Sequence, residues 1–196
     1  MNENTEKRIV VFTSQSLRQN GIRAVHMDDI AKNIGISKRT IYQVYKTKND
    51  LVNTCLDTYL FRIGNLFHII KYDSSDALVY LWKTSLTYME NLYKGECAFW
   101  FDVKCYPEYR HIYVAYNRIW LDGLKKAVSS CQQDGYIIPY LDVPVFLESF
   151  MTLLYDVRIA ERLPSIAYNA LYFMLRGILT NKGVEQLEKI DIRVNN

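Results

Sequence analysis

The sequence predicts an all-α fold, a short N-terminal module of three helices followed by a longer helical body. Three observations predict it. Apolar residues recur at helical spacing along nearly the whole chain. Eight Gly and four Pro in 196 residues are too few for the tight turns of a β sandwich or barrel. The chemistry also changes near residue 50. Residues 1–50 hold nine Lys/Arg and five Asp/Glu, a net +4, whereas residues 51–196 hold 15 and 16, a net −1. Aromatics divide the other way, with only Phe12, Tyr42 and Tyr45 in the first 50 residues and 24 in the remainder. A basic module on a near-neutral body points to an anionic partner for the module, although a fluctuation of surface charge gives the same count.

Each element has a local reason. Glu6 to Asn20 carries apolar residues at 9, 10, 12 and 17 and stops at Gly21. Met27 to Ile34 buries Ile30, Ala31 and Ile34 on one face, with Asp28 and Asp29 in the first turn where the helix dipole favours them. Gly35 can take a positive φ, and Ser37 caps a third helix, Lys38 to Val44. Thr47-x-x-Asp50 resembles a capping box that opens a helix to about Ile70. Ser75 caps a helix to about Tyr93, stopped by Gly95, and Glu96 to Cys105 is a short helix broken before Pro107. Glu108 to about Gln133 is long. Asp142 and Pro144 open a helix to Leu163, Ser165 opens one to about Thr180, and a last segment runs from Val184 to about Ile190.

Several classes are excluded. The start MNENTEKR has no apolar stretch after a basic end, so a secretory signal is not expected. No run of 18 uncharged apolar residues predicts a membrane span. Cys55, Cys97, Cys105 and Cys131 form no C-x-x-C pair and are expected to be reduced, mostly buried thiols of a cytoplasmic protein. Metalloprotease, nucleophile-elbow and P-loop motifs are absent. One Glu-x-x-His, Glu108 to His111, falls short of the two that a di-iron bundle needs. No enzyme, metal or cofactor is expected.

Residues 26–45 read HMDDIAKNIGISKRTIYQVY. Two short helices meet at a turn holding Gly35 and Ile36. Ala31 permits close approach, and Ile30, Ile36 and Ile41 fix the crossing. This is a helix-turn-helix, which puts its second helix into the major groove of double-stranded DNA. Lys38, Arg39, Thr40 and Gln43 project from the exposed face. Arg39 suits bidentate pairing with guanine and Gln43 with adenine.

The run Gly21…Asp29-Ile30-Ala31…Gly35-Ile36-Ser37-Lys38…Thr40-Ile41-Tyr42…Tyr45…Lys48…Leu51 resembles the N-terminal domain of TetR/AcrR-type bacterial transcriptional regulators over residues 8–52. The resemblance implies a homodimer on a palindromic operator, released when a small-molecule effector enters the C-terminal domain. It implies phosphate contacts for Tyr42, Tyr45 and Lys48, although packing of Tyr45 into the core with only its hydroxyl exposed fits equally well. The chain departs from the family at His26, where Ser or Thr usually stands. His caps poorly, so that helix starts looser or the imidazole faces a phosphate. Thr13 and Leu17 stand where the family tends to have Ala and Phe, and Val44 where it often has a polar or aromatic residue.

In the body, Tyr106, Tyr109, Tyr113, Tyr116 and Trp120 follow steps of three and four and predict one aromatic stripe. Core packing and an effector pocket both account for it. With Trp82, Tyr88, Trp100, Phe150 and Tyr155, the residues Tyr106, Tyr113, Tyr116 and Trp120 form the candidate pocket, suited to a flat or cationic apolar ligand, while basic residues such as Arg110 and Arg118 equally suit a carboxylate. The last two long helices carry apolar stripes. On them Phe146, Leu153, Val157, Ala170, Phe173 and Gly177 are candidates for a dimer interface, with burial in their own chain as the alternative.

The expected organisation is a helix-turn-helix DNA-binding domain, 1–50, and a helical effector-binding and dimerisation domain, 51–196. The expected function is a homodimeric repressor. The alternative is a helical small-molecule-binding or protein-interaction protein that reads no operator.

Overall fold

The computed structural model describes residues 3–194. The described residues form α1 (Glu3–Asn20), α2 (Met27–Ile34), α3 (Lys38–Val44), α4 (Lys48–Tyr72), α5 (Ala77–Tyr93) and α6 (Cys97–Cys105). A single 3-10 turn, Pro107–Tyr109, precedes α7 (Arg110–Gln133), α8 (Val143–Ile159), α9 (Pro164–Gly177) and α10 (Asn181–Val194). One antiparallel bridge, Ile137 with Leu179, is the β pairing among the described residues. No described helix is long and apolar enough to cross a membrane.

The helix ends follow local chemistry. Gly35 takes φ +70° after α2, its N–H donates to Lys32 C=O, and the Ile36 N–H reaches back to Ala31 C=O, which is a Schellman stop. The capping box at α4 is reciprocal: Thr47 N–H donates to the Asp50 carboxylate at 2.9 Å and Asp50 N–H to the Thr47 hydroxyl at 3.1 Å.

Several expectations need correction. Ser165 does not open α9: Pro164 starts it after Leu163, which gives no side-chain cap, and the helix ends at Gly177 rather than Thr180. Ser75 does not cap α5. Asp76 does, accepting from the N–H groups of Leu78 (2.9 Å) and Val79 (3.0 Å). Helix α8 stops at Ile159 rather than Leu163, because Glu161 takes φ +54° and completes a Schellman motif, with Arg162 N–H on Val157 C=O. A non-glycine residue in that conformation leaves no signal in the sequence. The aromatic stripe is not one helical face: Tyr106 is extended, and Tyr109 lies in the 3-10 turn that starts at Pro107, before α7 begins. Of the four free thiols Cys55 and Cys131 are buried, but Cys97 is half-buried and Cys105 exposed. Burial pushes the Cys55 thiol up to about 11 and the Cys131 thiol up to about 12, so both stay protonated at neutral pH.

The chain divides into two compact units. One takes the chain up to Ile63 together with Lys94–Tyr116, and the other Gly64–Tyr93 together with the chain from Asn117. In the first unit Ile9, Leu17, Ile30, Ile41, Leu51, Leu56 and Trp100 form the core. Thr13 is fully buried there and Leu17 nearly so. In the second unit the core is built on Trp82, Tyr88, Trp120, Leu124, Phe150, Leu154 and Leu171.

Gly183 matters within the second unit. A Cβ on it would fall on the Tyr136 carbonyl oxygen, which accepts the Thr180 N–H at 2.9 Å. Gly183→Ala is therefore expected to destabilise by about 1–3 kcal/mol through overpacking, against the ~1 kcal/mol that Ala otherwise adds to a helix. The midpoint of urea unfolding measures it, and a rise in that midpoint would contradict it.

Candidate nucleic-acid interface

Helix α3 is held from behind. Ile41 points inward and is fully buried, and Ile30, Ala31 and Ile34 present the buried face of α2 to the same core. Ser37 starts α3, its hydroxyl accepting the Thr40 N–H at 3.1 Å and meeting the Thr40 hydroxyl at 2.8 Å. The Arg8 guanidinium donates to the Ile34 carbonyl at 2.7 Å and so satisfies the C-terminus of α2. The turn between the two helices is thus fixed at both sides.

Anchoring Ile41 turns the opposite face outward. Lys38, Arg39, Tyr42 and Gln43 are exposed and Thr40 is half-exposed. Lys38 pairs with Asp28 at 2.8 Å, which holds its ammonium above its usual range, and its Nζ lies 5.8 Å from the Tyr42 ring centroid. Both partners of this ion pair are about 61% exposed, so solvent screens it.

The flanking residues differ in setting. Tyr45 packs inward, 9% exposed, and burial pushes its phenol up. Lys48 is half-buried; desolvation holds its ammonium below the usual range, opposed by the charge of Asp102, and its Nζ lies 3.4 Å from the Arg23 carbonyl. His26 is exposed at the N-cap of α2 and makes no side-chain cap hydrogen bond, so this departure leaves the first turn uncapped.

The candidate pocket residues fall into both units. In the first, Trp100 and Tyr116 are buried with ring centroids 4.9 Å apart. Tyr106 is half-buried under the Arg23 guanidinium at 5.1 Å, and Tyr113 lies 5.8 Å from Lys104 Nζ. In the second, Tyr88 meets Trp120 edge-on at 5.3 Å and Phe150 at 6.5 Å, and its hydroxyl donates to Met151 C=O. Trp82 packs edge-on against Tyr168 and Tyr172, and Tyr155 is buried.

The candidate dimer residues lie on α8 and α9, which pack on each other. Leu153 is 40% and Phe173 69% exposed, Gly177 is exposed, and Phe146, Val157 and Ala170 are half-buried. Val145 and Ile166 add to the exposed apolar side.

Two residues with structural roles here, Arg23 and Asp102, belong to no motif in the sequence. Arg23 is exposed and stacks on Tyr106. Asp102 is buried and bonds to the backbone of residues 22 and 23. A lone carboxylate inside the apolar run of α6 is the signal that could have exposed the second.

Residues 9–55 match the family model of bacterial regulatory proteins, tetR family. No curated protein matches the chain. The fold is similar to that of a TetR-family transcriptional regulator from Agrobacterium tumefaciens, at 15% identity over 91% of this chain and 99% of that one, with a TM-score of 0.79. It is similar to the fatty acid degradation regulator FadR of Bacillus halodurans, at 15% identity over 89% and 96%, TM-score 0.70. A protein from Saccharomonospora viridis in complex with choline has 16% identity over 92% and 100%, TM-score 0.79.

Proposed function

Because the chain belongs to the tetR family of bacterial regulatory proteins, we propose that it is a homodimeric repressor released from a palindromic operator by a small molecule. One observation carries this reading: Lys38, Arg39, Thr40, Tyr42 and Gln43 share the open face of a helix whose back and start are both fixed. In this reading residues 1–50 bind DNA, and residues 51–196 bind the effector and the second subunit. Arg39 and Gln43 read base edges, while Lys38, Tyr42, Lys48 and His26 meet the phosphates and the buried Tyr45 packs behind them.

Dimerisation follows from the size of the module. A single seven-residue reading helix makes too few contacts for a specific site, and two-fold operators mirror two-fold proteins. The exposed Leu153 and Phe173, with Val145 and Ile166 beside them in the same helix pair, support α8 and α9 as the surface a second copy covers.

The effector is a cationic or flat apolar molecule. Aromatic faces hold such groups, and the Saccharomonospora viridis protein of similar fold holds choline. The effector acts by binding one spacing of the two reading helices better than the other. The protein works in the cytoplasm, where its operator is.

The test is a mobility-shift titration on the DNA upstream of its own gene, at several salt concentrations. A dimer neutralising about 6–10 phosphates loses about 10³–10⁵ in affinity between 50 and 200 mM salt. A quaternary ammonium or flat aromatic ligand from a panel then abolishes the retarded band. A flat salt dependence with no retarded band would instead identify a helical binding protein that reads no operator.

A further inference from the structure

Helix α6 reads CAFWFDVKC, with one carboxylate in an apolar run. That carboxylate, on Asp102, is 5% exposed. A buried charge is tolerated only where hydrogen bonds replace its water. Here Oδ2 accepts two backbone N–H groups, from Ile22 at 2.6 Å and Arg23 at 3.0 Å. These two residues follow Gly21, where α1 ends and the chain turns toward α2.

The surrounding contacts repeat the same attachment. Glu96 N–H donates to Arg18 C=O at 2.7 Å, joining the start of α6 to the last turn of α1. Gly21 takes φ +82°, and a Cβ there would lie 3.0 Å from Asp102 Oδ2 and 3.1 Å from the Ala98 Cβ. Arg23, held by its own N–H, lays its guanidinium over Tyr106, the residue that ends α6. The Arg23 carbonyl then receives Lys48 Nζ. One carboxylate thus sets the backbone of a turn whose last residue carries one cation and touches another.

We infer that Asp102 is a positioning residue for DNA binding: by fixing the Gly21–Arg23 turn on α6 it holds Arg23 and Lys48 where both meet phosphate. This rests on the DNA-binding function proposed above and adds Arg23 as a phosphate contact. Asp102 itself, being buried, touches no DNA.

A purely stabilising role is separable. Asp102→Ala removes the acceptor, while Asp102→Asn keeps one carbonyl oxygen at the same place. In the operator titration, Asp102→Ala is expected to weaken binding at least 10-fold. Its salt slope is expected to fall by about one per lost phosphate contact. Asp102→Asn recovers part of both. In the ¹H–¹⁵N spectrum of the free protein, the Ile22 and Arg23 amide protons move upfield in Asp102→Ala.

Gly183→Ala, destabilised in the other unit, is the control and keeps the wild-type slope. If wild type itself binds no DNA, the functional reading fails and this inference with it. If wild type binds and Asp102→Ala keeps its affinity and slope, or leaves the two amides unmoved, the inference alone is overturned.

Discussion

Replacing Arg39 with alanine is expected to cost about 1–3 kcal/mol of discrimination per half-site, because each bidentate base contact is worth that much. Arg39 is exposed on α3, next to the capped start that aims the helix, and Ile41 beneath is fully buried and prevents the helix from rolling. The loss is therefore of contact and not of fold, and the urea midpoint stays within about 0.5 kcal/mol of wild type. Arg39→Lys does not restore discrimination, since an ammonium lacks the planar fork that spans two guanine acceptors. Lys48→Ala behaves differently, weakening binding to all sequences alike. Competition between the operator and single-base variants separates the two outcomes. Unchanged discrimination in Arg39→Ala would remove Arg39 from base reading.

Trp120→Ala is expected to destabilise by about 3–5 kcal/mol, the range for deleting a large buried aromatic. Trp120 is fully buried in α7, with Phe67 at 5.1 Å and Tyr88 at 5.3 Å, both edge-on. Those contacts add to burial of the ring itself. Gly123, one turn further along α7, has no room for a Cβ beside the Phe67 ring, so the neighbours have little freedom to close the gap. Thermal unfolding followed by circular dichroism is expected to show a fall on the order of 10 °C. The result bears on function, because core packing and pocket lining predict different costs. A loss below about 1 kcal/mol would make the ring a wall of open space and not a filler of core.

What was legible in the sequence was local. The bounds of α2 and α3 follow from Gly35, Ser37 and the spacing of Ile30, Ile34 and Ile41, whose interactions span five residues or fewer. The capping box of α4 is likewise complete within four residues. The outward face of α3 follows from period alone once Ile41 is inward. Other features were not legible because two local arrangements compete, as at Ser75 and Asp76, or because the backbone takes a rare conformation. Glu161 adopts a conformation usually left to glycine, and Pro107 interrupts a spacing that otherwise reads as one helix.

The composition break at residue 50 describes charge and aromatic content, and it was read from residue types. The compact units group the chain otherwise, drawing Lys94–Tyr116 in with the N-terminal helices. Trp100 and Asp102 therefore serve the aromatic-poor module from the aromatic-rich half of the sequence. A hydrogen bond across 80 residues has no periodicity and no spacing to betray it. The positions of α2 and α3, the capping box of α4 and the exposed basic face of α3 were legible because each depends on neighbours within a turn or two. Which carboxylate takes the Ile22 and Arg23 amides, and which aromatics share a core, depend instead on where distant helices meet.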